Sequence, residues 1–216
     1  MTPSLVTFYP LLYLIIPFAF FMGSIPFGLL FTRKKGVDLR TSGSGNIGAT
    51  NVLRTAGKLP AVMTLLGDAL KGAIPVLLCN YLISNSGQPT DFMNNAKALW
   101  GGIAGTAAVA GHIFSIFLSF KGGKGVATGF GVLLAYSPVT ALVTLLIWIG
   151  VALITKYSSL AAIAAVTALP ITLAFVDFSM IKIFFGIMLA VLIDYKHKDN
   201  MKRLMQGQES RIGGRK

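Results

Sequence analysis

Seven apolar stretches fill most of this chain, at about 5–31, 60–83, 98–120, 125–136, 139–155, 159–176 and 179–195. A helix needs about 20 apolar residues to cross ~30 Å of hydrocarbon, and several of these runs approach or exceed that length. The stretch 125–136 is the exception, because Ser137-Pro138 ends it early and leaves a short crossing or a half-helix. Only 12% of the 216 residues are charged and 54% are hydrophobic. A soluble domain carries roughly 25% charged residues, so a globule of this composition could not cover itself in water. Disorder, collagen-like repeats, coiled coil and a disulfide scaffold fail on the same figures. The lone cysteine, Cys79, sits in an apolar run and forms no internal disulfide. The first charge is Arg33, so 5–31 reads as a retained span rather than a signal peptide. The expectation is one polytopic all-α membrane domain over 1–216.

Charge gives the orientation. The net charge of +12 comes from 19 Lys+Arg against 7 Asp+Glu. No basic stripe with interleaved aromatics marks a nucleic-acid surface, so lipid headgroups or a small phosphorylated substrate are the expected partners. With the N-terminus outside, 16 basic residues fall at 32–59, 120–125, 156–158 and 195–216, and two, Lys97 and Lys182, fall opposite. The positive-inside rule then puts the C-terminus in the cytoplasm and requires an odd number of spans, giving a seven-transmembrane-helix bundle. Gly101, Gly105 and Gly111, with Ala104, Ala107 and Ala108, predict a close-packing face on the third span. Trp100 and Trp148 fit interfacial anchors. Asp68 and Lys71, three residues apart inside a span, predict an ion pair.

Three polar segments carry the chemistry. In the first, 36–54, glycines at 43, 45 and 48 allow positive φ and can turn backbone amides inward. Ser44, Gly45, Asn46, Gly48, Thr50 and Asn51 add short polar groups and open backbone, and Arg54 adds a fork suited to phosphate. Ala49–Arg54 predicts a helix start, which favours an anion. A flexible Gly/Ser linker explains the glycines but not the Asn, Thr and Arg beside them. In the second segment, 111–128, Lys121-Gly122-Gly123-Lys124-Gly125 is a basic turn whose lysines and amides can neutralise a phosphate. It lacks P-loop spacing, and ordinary positive-inside lysines are the alternative. His112 is an intramembrane histidine, a functional candidate or an interhelical hydrogen-bonding group. In the third, 196–209, His197 and Asn200 share a helix face and His197 can act as base or phosphate donor. A basic tail on anionic lipid accounts for the lysines there, but does not require His197, Asn200 or Glu209. Ser158 and Ser159 fall at a span end, where capping is the favoured reading.

Three strings together resemble the bacterial membrane acyl-phosphate:glycerol-3-phosphate acyltransferase family. They are Gly43-Ser-Gly-Asn-Ile-Gly-Ala-Thr-Asn51 with Arg54; Gly111-His-Ile-Phe-Ser-Ile-Phe with Phe120-Lys-Gly-Gly-Lys-Gly-Val-Ala-Thr128; and His197-Lys-Asp-Asn200 through Gly207-Gln-Glu209. The resemblance runs from about Met22 to Glu209. It implies a seven-span enzyme of the bacterial inner membrane, active on the cytoplasmic side, making 1-acylglycerol-3-phosphate from acyl phosphate and glycerol-3-phosphate. It implies no metal, no cofactor and no obligatory protein partner. By resemblance, Ser44, Arg54, Lys124, Ser159, His197 and Asn200 surround the substrate phosphates and the reacting hydroxyl, with His112, Thr128 and Glu209 in the same motifs.

Two rival readings remain at this level. A small transporter for a phosphorylated anion shares the spans and basic loops, but calls for midplane polar sites and related halves. A lipid-headgroup phosphatase calls for a metal cluster or a nucleophile–base arrangement, and the chain has two histidines, on separate segments.

Overall fold

Prolines and glycines, rather than charges, set where the apolar segments break. The computed structural model describes residues 10–213, which are helical with no strands. A short 3-10 turn at Pro10–Leu14 leads into α1 (Ile15–Ser24), and Pro26 separates it from α2 (Phe27–Thr32). After a loop come α3 (Ala49–Ala56), α4 (Lys58–Ser84) and α5 (Thr90–Ile113). The loop 114–125 leads to α6 (Val126–Tyr136), and Pro138 then opens α7 (Pro138–Thr155). The remainder is α8 (Ser158–Thr167), α9 (Leu169–Val176), α10 (Met180–Lys196) and α11 (Lys198–Met205).

Among the described residues, four stretches are long and apolar enough to cross a bilayer: Pro10–Lys35, Lys58–Ser84, Thr90–Leu118 and Pro138–Thr155. The pair α8–α9, bent by 44°, makes a fifth if counted as one span. Length and composition thus support four or five of the seven expected spans, because α6 has 11 residues and α10 has 17. The predicted loop at 84–97 shrinks, since α5 starts at Thr90 and carries Lys97 on the helix. The same helix ends at Ile113, before the expected 120. Residues 5–9 of the first predicted span lie outside the described residues.

Helix α5 is the centre of the bundle. In lipid, apolar side chains gain little by leaving their surroundings, so helices associate through close backbone approach at small residues. A Cβ on Gly23 would lie 2.0 Å from the Ala108 carbonyl oxygen, and one on Gly111 would lie 2.1 Å from that of Phe20. The crossing of α4 and α6 is built the same way, with Gly72 against the Thr128 carbonyl and Gly131 against that of Ala69. Gly101, Gly105, Ala104 and Ala108 are buried as expected, whereas Ala107 is only half-buried. Trp100 departs from its predicted anchoring role. It is 2% exposed, packed edge-on against Tyr13 in the core beside Ile15, Ala104 and Tyr136.

The interhelical connections gather at two ends. One end carries Lys124, Ser159 and Asn200 in a single hydrogen-bonded group, and the other brings Asn80, Lys97, Tyr136 and Asp177 around one cavity. Between them Asp68 and Lys71 pair at 2.7 Å, as their spacing predicted. Lys71 Nζ also donates to the Ile25 carbonyl at the α1–α2 break, at 2.7 Å.

Candidate active site

Glu209 organises the polar end. Its Oε1 accepts from Asn200 Nδ2 at 2.7 Å and from Ser159 Oγ at 2.8 Å, and its Oε2 accepts from Arg203 Nε at 2.7 Å. Asn200 Oδ1 in turn accepts from Lys124 Nζ at 2.5 Å. Four elements therefore meet here: the loop before α6, the start of α8, α11, and the chain after α11. Ser159 is not a cap, since no side chain caps α8 and the hydroxyl is spent on Glu209. The chain beyond Glu209 folds onto the α7–α8 turn, where Ile212 N–H donates to the Lys156 carbonyl at 2.7 Å.

The charges in this group are unequal. Burial works to raise the Glu209 carboxyl, but hydrogen bonds from Arg203, Ser159 and Asn200 outweigh it and hold the group below its ordinary value. Burial pulls Lys124 down to about 8, with Glu209 opposing. Arg203 already occupies the carboxylate, so Lys124 rests on a neutral amide oxygen.

His197 sits at the joint of α10 and α11 and is buried. Its Nδ1 lies 2.8 Å from the Ile193 carbonyl, which can only accept, so Nδ1 carries the proton and Nε2 is the free acceptor. Burial holds its pKa down at about 4, with the Ile193 carbonyl opposing.

The first polar loop is ordered by its own small core. Leu39, Ile47 and Val52 are buried with Ala61 and Leu118, which a flexible linker would not do. Gly43 and Gly45 take φ of 63° and 72°, while Gly48 is extended at −79° and serves as the uncapped start of α3. Asn51 is turned into the loop rather than toward a ligand. Its Nδ2 donates to the carbonyls of Leu39, Ser42 and Asn46, and its Oδ1 accepts from Ser44 N–H. The Ser44 side chain and Arg54 are exposed, and Arg54 has no polar partner among the described residues. Thr50 Oγ1 lies 3.4 Å from Ser158 Oγ, which brings the start of α3 beside the Ser159–Glu209 group.

The basic turn is also wired differently from expectation. Gly122 and Gly123 N–H donate to the carbonyls of Ile113 and His112, each at 3.0 Å, so those amides close α5 and are not free for phosphate. A Cβ on Gly122 would lie 2.0 Å from the His112 carbonyl, and one on Gly123 would lie 2.2 Å from His112 Nε2. Gly125, at φ 85°, begins α6, and Lys121 is exposed. His112 Nδ1 is 3.1 Å from Thr128 Oγ1 and 3.7 Å from Asp68, so its neighbours are interhelical.

The family model described as glycerol-3-phosphate acyltransferase matches residues 13–207. The chain belongs to the glycerol-3-phosphate acyltransferase family. It is 43% identical over 192 residues to the glycerol-3-phosphate acyltransferase of Geotalea daltonii, covering 89% of this chain and 93% of the relative. It is 46% identical over 218 residues to that of Methylorubrum populi, covering 99% and 98%. A crystal structure of PlsY, an integral membrane glycerol 3-phosphate acyltransferase in its glycerol 3-phosphate form, is similar at TM-score 0.81 and 40% identity, covering 94% of this chain and 96% of that one. Its lysophosphatidic acid form is similar at TM-score 0.79 and 38% identity, over 93% and 94%.

Within this acyltransferase, Arg203 joins the candidate site through Glu209 without standing out in the sequence. It stands three residues after Asn200, on the same turn-spaced face of α11, and that spacing was the available signal.

Proposed function

We propose that this acyltransferase moves an acyl group from acyl phosphate to the 1-hydroxyl of glycerol-3-phosphate, giving 1-acylglycerol-3-phosphate and inorganic phosphate as an early step of phospholipid synthesis. The observation that carries the reading is the unbalanced charge at the polar end. Lys124 is held by an amide while Arg203 takes the carboxylate, and Arg54 stands without a polar partner among the described residues on α3, whose start lies beside Ser158. Two cations without their own anions, beside the uncapped start of α3, suit a substrate with phosphate on both reacting partners.

In the reaction the hydroxyl oxygen attacks the acyl carbonyl carbon. The carbon–oxygen bond to phosphate breaks, and its electron pair leaves with the phosphate. Phosphate is a good leaving group, so holding and charge compensation matter more than a strong base. His197, neutral and with a free Nε2, accepts the hydroxyl's hydrogen bond and aims it, and the departing phosphate takes the proton. Ser44, Arg54 and Lys124 hold phosphate oxygens. Ser159, Asn200 and Glu209 fix the position of Lys124, and Asn51, Gly122, Gly123 and Thr128 hold the loops in shape.

The seven helical segments cross the bacterial inner membrane, with α6 and α10 as short crossings and the polar end facing the cytoplasm. The 16-to-two bias of basic residues supports that orientation. Purified protein, given radiolabelled glycerol-3-phosphate with palmitoyl phosphate, palmitoyl-CoA or palmitoyl-carrier protein, tests the donor. Lysophosphatidic acid is expected with palmitoyl phosphate alone. Product from either thioester at a comparable rate overturns the donor assignment, and product from none, with folded protein, overturns the reaction.

A further inference from the structure

At the end of the bundle opposite Lys124 lies a cavity of about 340 Å³, lined by Asn80, Asn94, Asn95, Lys97, Asp177 and Lys182 among others. The reaction has no use for it. Along α5, Lys97 and His112 are 15 residues apart, roughly 22 Å at 1.5 Å per residue. The cavity nevertheless has the chemistry of a binding site. Asp177 pairs with Lys182 and accepts from the hydroxyls of Ser137, at 2.5 Å, and Thr140, at 3.3 Å, so its charge is consumed. Tyr136 spends its hydroxyl on the Ala98 carbonyl at 2.5 Å. What remains is a cation, Lys97, with no polar partner among the described residues. There is also an orphan acceptor. Asn80 Nδ2 donates to the Ala135 carbonyl at 3.3 Å, but its Oδ1 is buried with no partner. Buried acceptors in native structures are normally satisfied, so such an atom points to a missing donor.

The rim is apolar. Ser179, which lines the cavity, stands between Phe178 and Met180, 82% and 83% exposed, and Tyr81 beside Asn80 is 66% exposed. Large exposed aromatic and thioether groups around a polar recess fit the boundary between hydrocarbon and headgroups better than open water.

We propose that this cavity binds a phospholipid headgroup, with its phosphate on Lys97 and a headgroup hydroxyl or ammonium donor reaching Asn80 Oδ1 once the Asn80 side chain, held by the 3.3 Å bond to Ala135, turns toward the cavity. The site needs both an anion and a donor, which phosphatidylglycerol and phosphatidylethanolamine provide. Phosphatidylcholine has the phosphate but no N–H or O–H donor in its headgroup.

Native mass spectrometry of the full chain released from nanodiscs of each lipid tests this. Wild type is expected to retain one phosphatidylglycerol or phosphatidylethanolamine and to hold phosphatidylcholine more weakly. Lys97→Gln and Asn80→Leu are expected to weaken retention by at least about tenfold while acyltransferase turnover stays at the wild-type level, which also shows that they fold. Lys124→Ala is expected to keep the lipid. Equal retention by wild type and both cavity variants overturns the proposal, as does loss of the lipid in Lys124→Ala, which would place it in the catalytic site. Displacement by inorganic phosphate or free glycerol-3-phosphate assigns the cavity to a soluble anion and overturns the lipid. Equal retention of phosphatidylcholine overturns the role of Asn80.

Discussion

With its pKa pulled down to about 8 by burial, Lys124 is protonated at neutral pH and loses its charge as pH rises through that value. A neutral amine no longer offsets a phosphate, so kcat/KM for glycerol-3-phosphate should fall above about pH 8, and Lys124→Ala should abolish that limb. The same substitution should lower kcat/KM by about 10- to 100-fold, the equivalent of one charge-assisted hydrogen bond. A pH profile of wild type and variant checks both, and an unchanged alkaline limb in Lys124→Ala would assign it to another group. His197 works in the other pH range. Its folded pKa of about 4 lies below the ordinary 6.5, so the unfolded chain binds the proton first as pH falls. Its contribution to stability is complete above about 6.5 and is lost as pH falls toward 4. Thermal unfolding of wild type against His197→Gln should therefore differ in slope between those values and run parallel above them. The residues themselves stand out in the sequence, His197 and Asn200 by a shared helix face and Lys124 by its basic turn, but the burial that lowers the pKa values of Lys124 and His197 does not. Nor does the inward turn of Asn51, since nothing in Gly43–Asn51 shows that four backbone groups compete for its amide.

Between helices, the buried pair of Asp68 and Lys71 does more than cancel two charges. Lys71 ties the middle of α4 to the broken first segment at Ile25, and Asp68 faces His112 on α5. Removing one partner leaves the other charge buried and unpaired, which costs about 3–5 kcal/mol. Asp68→Leu and Lys71→Met should each lower the unfolding temperature sharply, while the double variant should recover most of the loss. If the double variant is as unstable as the sum of the singles, the two residues act separately. The i, i+3 spacing made the pair visible in advance. The Ile25 anchor was hidden because it depends on where Pro26 turns the chain. At the polar end, the sequence offers the amides of the basic turn to a phosphate, whereas those of Gly122 and Gly123 donate to α5 carbonyls. Gly122 and Gly123 are small because α5 ends against them. Gly123→Ala puts a carbon 2.2 Å from His112 Nε2, so it should displace Lys124 and lower kcat more than it raises KM, measurable by steady-state kinetics.

Across the molecule, the two-ended arrangement follows from charge and small residues acting together. The basic bias is expected to sort the loops to two sides, and the glycine crossings at Gly23–Gly111 and Gly72–Gly131 draw the segments into one bundle. Hydropathy made the long spans legible and also the shortness of α6, whose 11 residues rise about 16 Å against ~30 Å of hydrocarbon. Even so, Gly125 leads into α6 beside Lys124, and Tyr136 ends it at the cavity shared by Asn80 and Lys97. A segment that joins the two ends must separate the loops on either side of it, and this can be tested chemically. Cys79 is fully buried, so the wild-type chain gives a silent background for thiol labelling. Asn85, Lys156 and Gln208 are all exposed. In intact cells a membrane-impermeant maleimide should label Asn85→Cys and leave Lys156→Cys and Gln208→Cys unlabelled until the membrane is opened. Three segments, α5, α6 and α7, lie between positions 85 and 156. If α6 turned back within the membrane, only two crossings would separate them, and both positions would label from the same side.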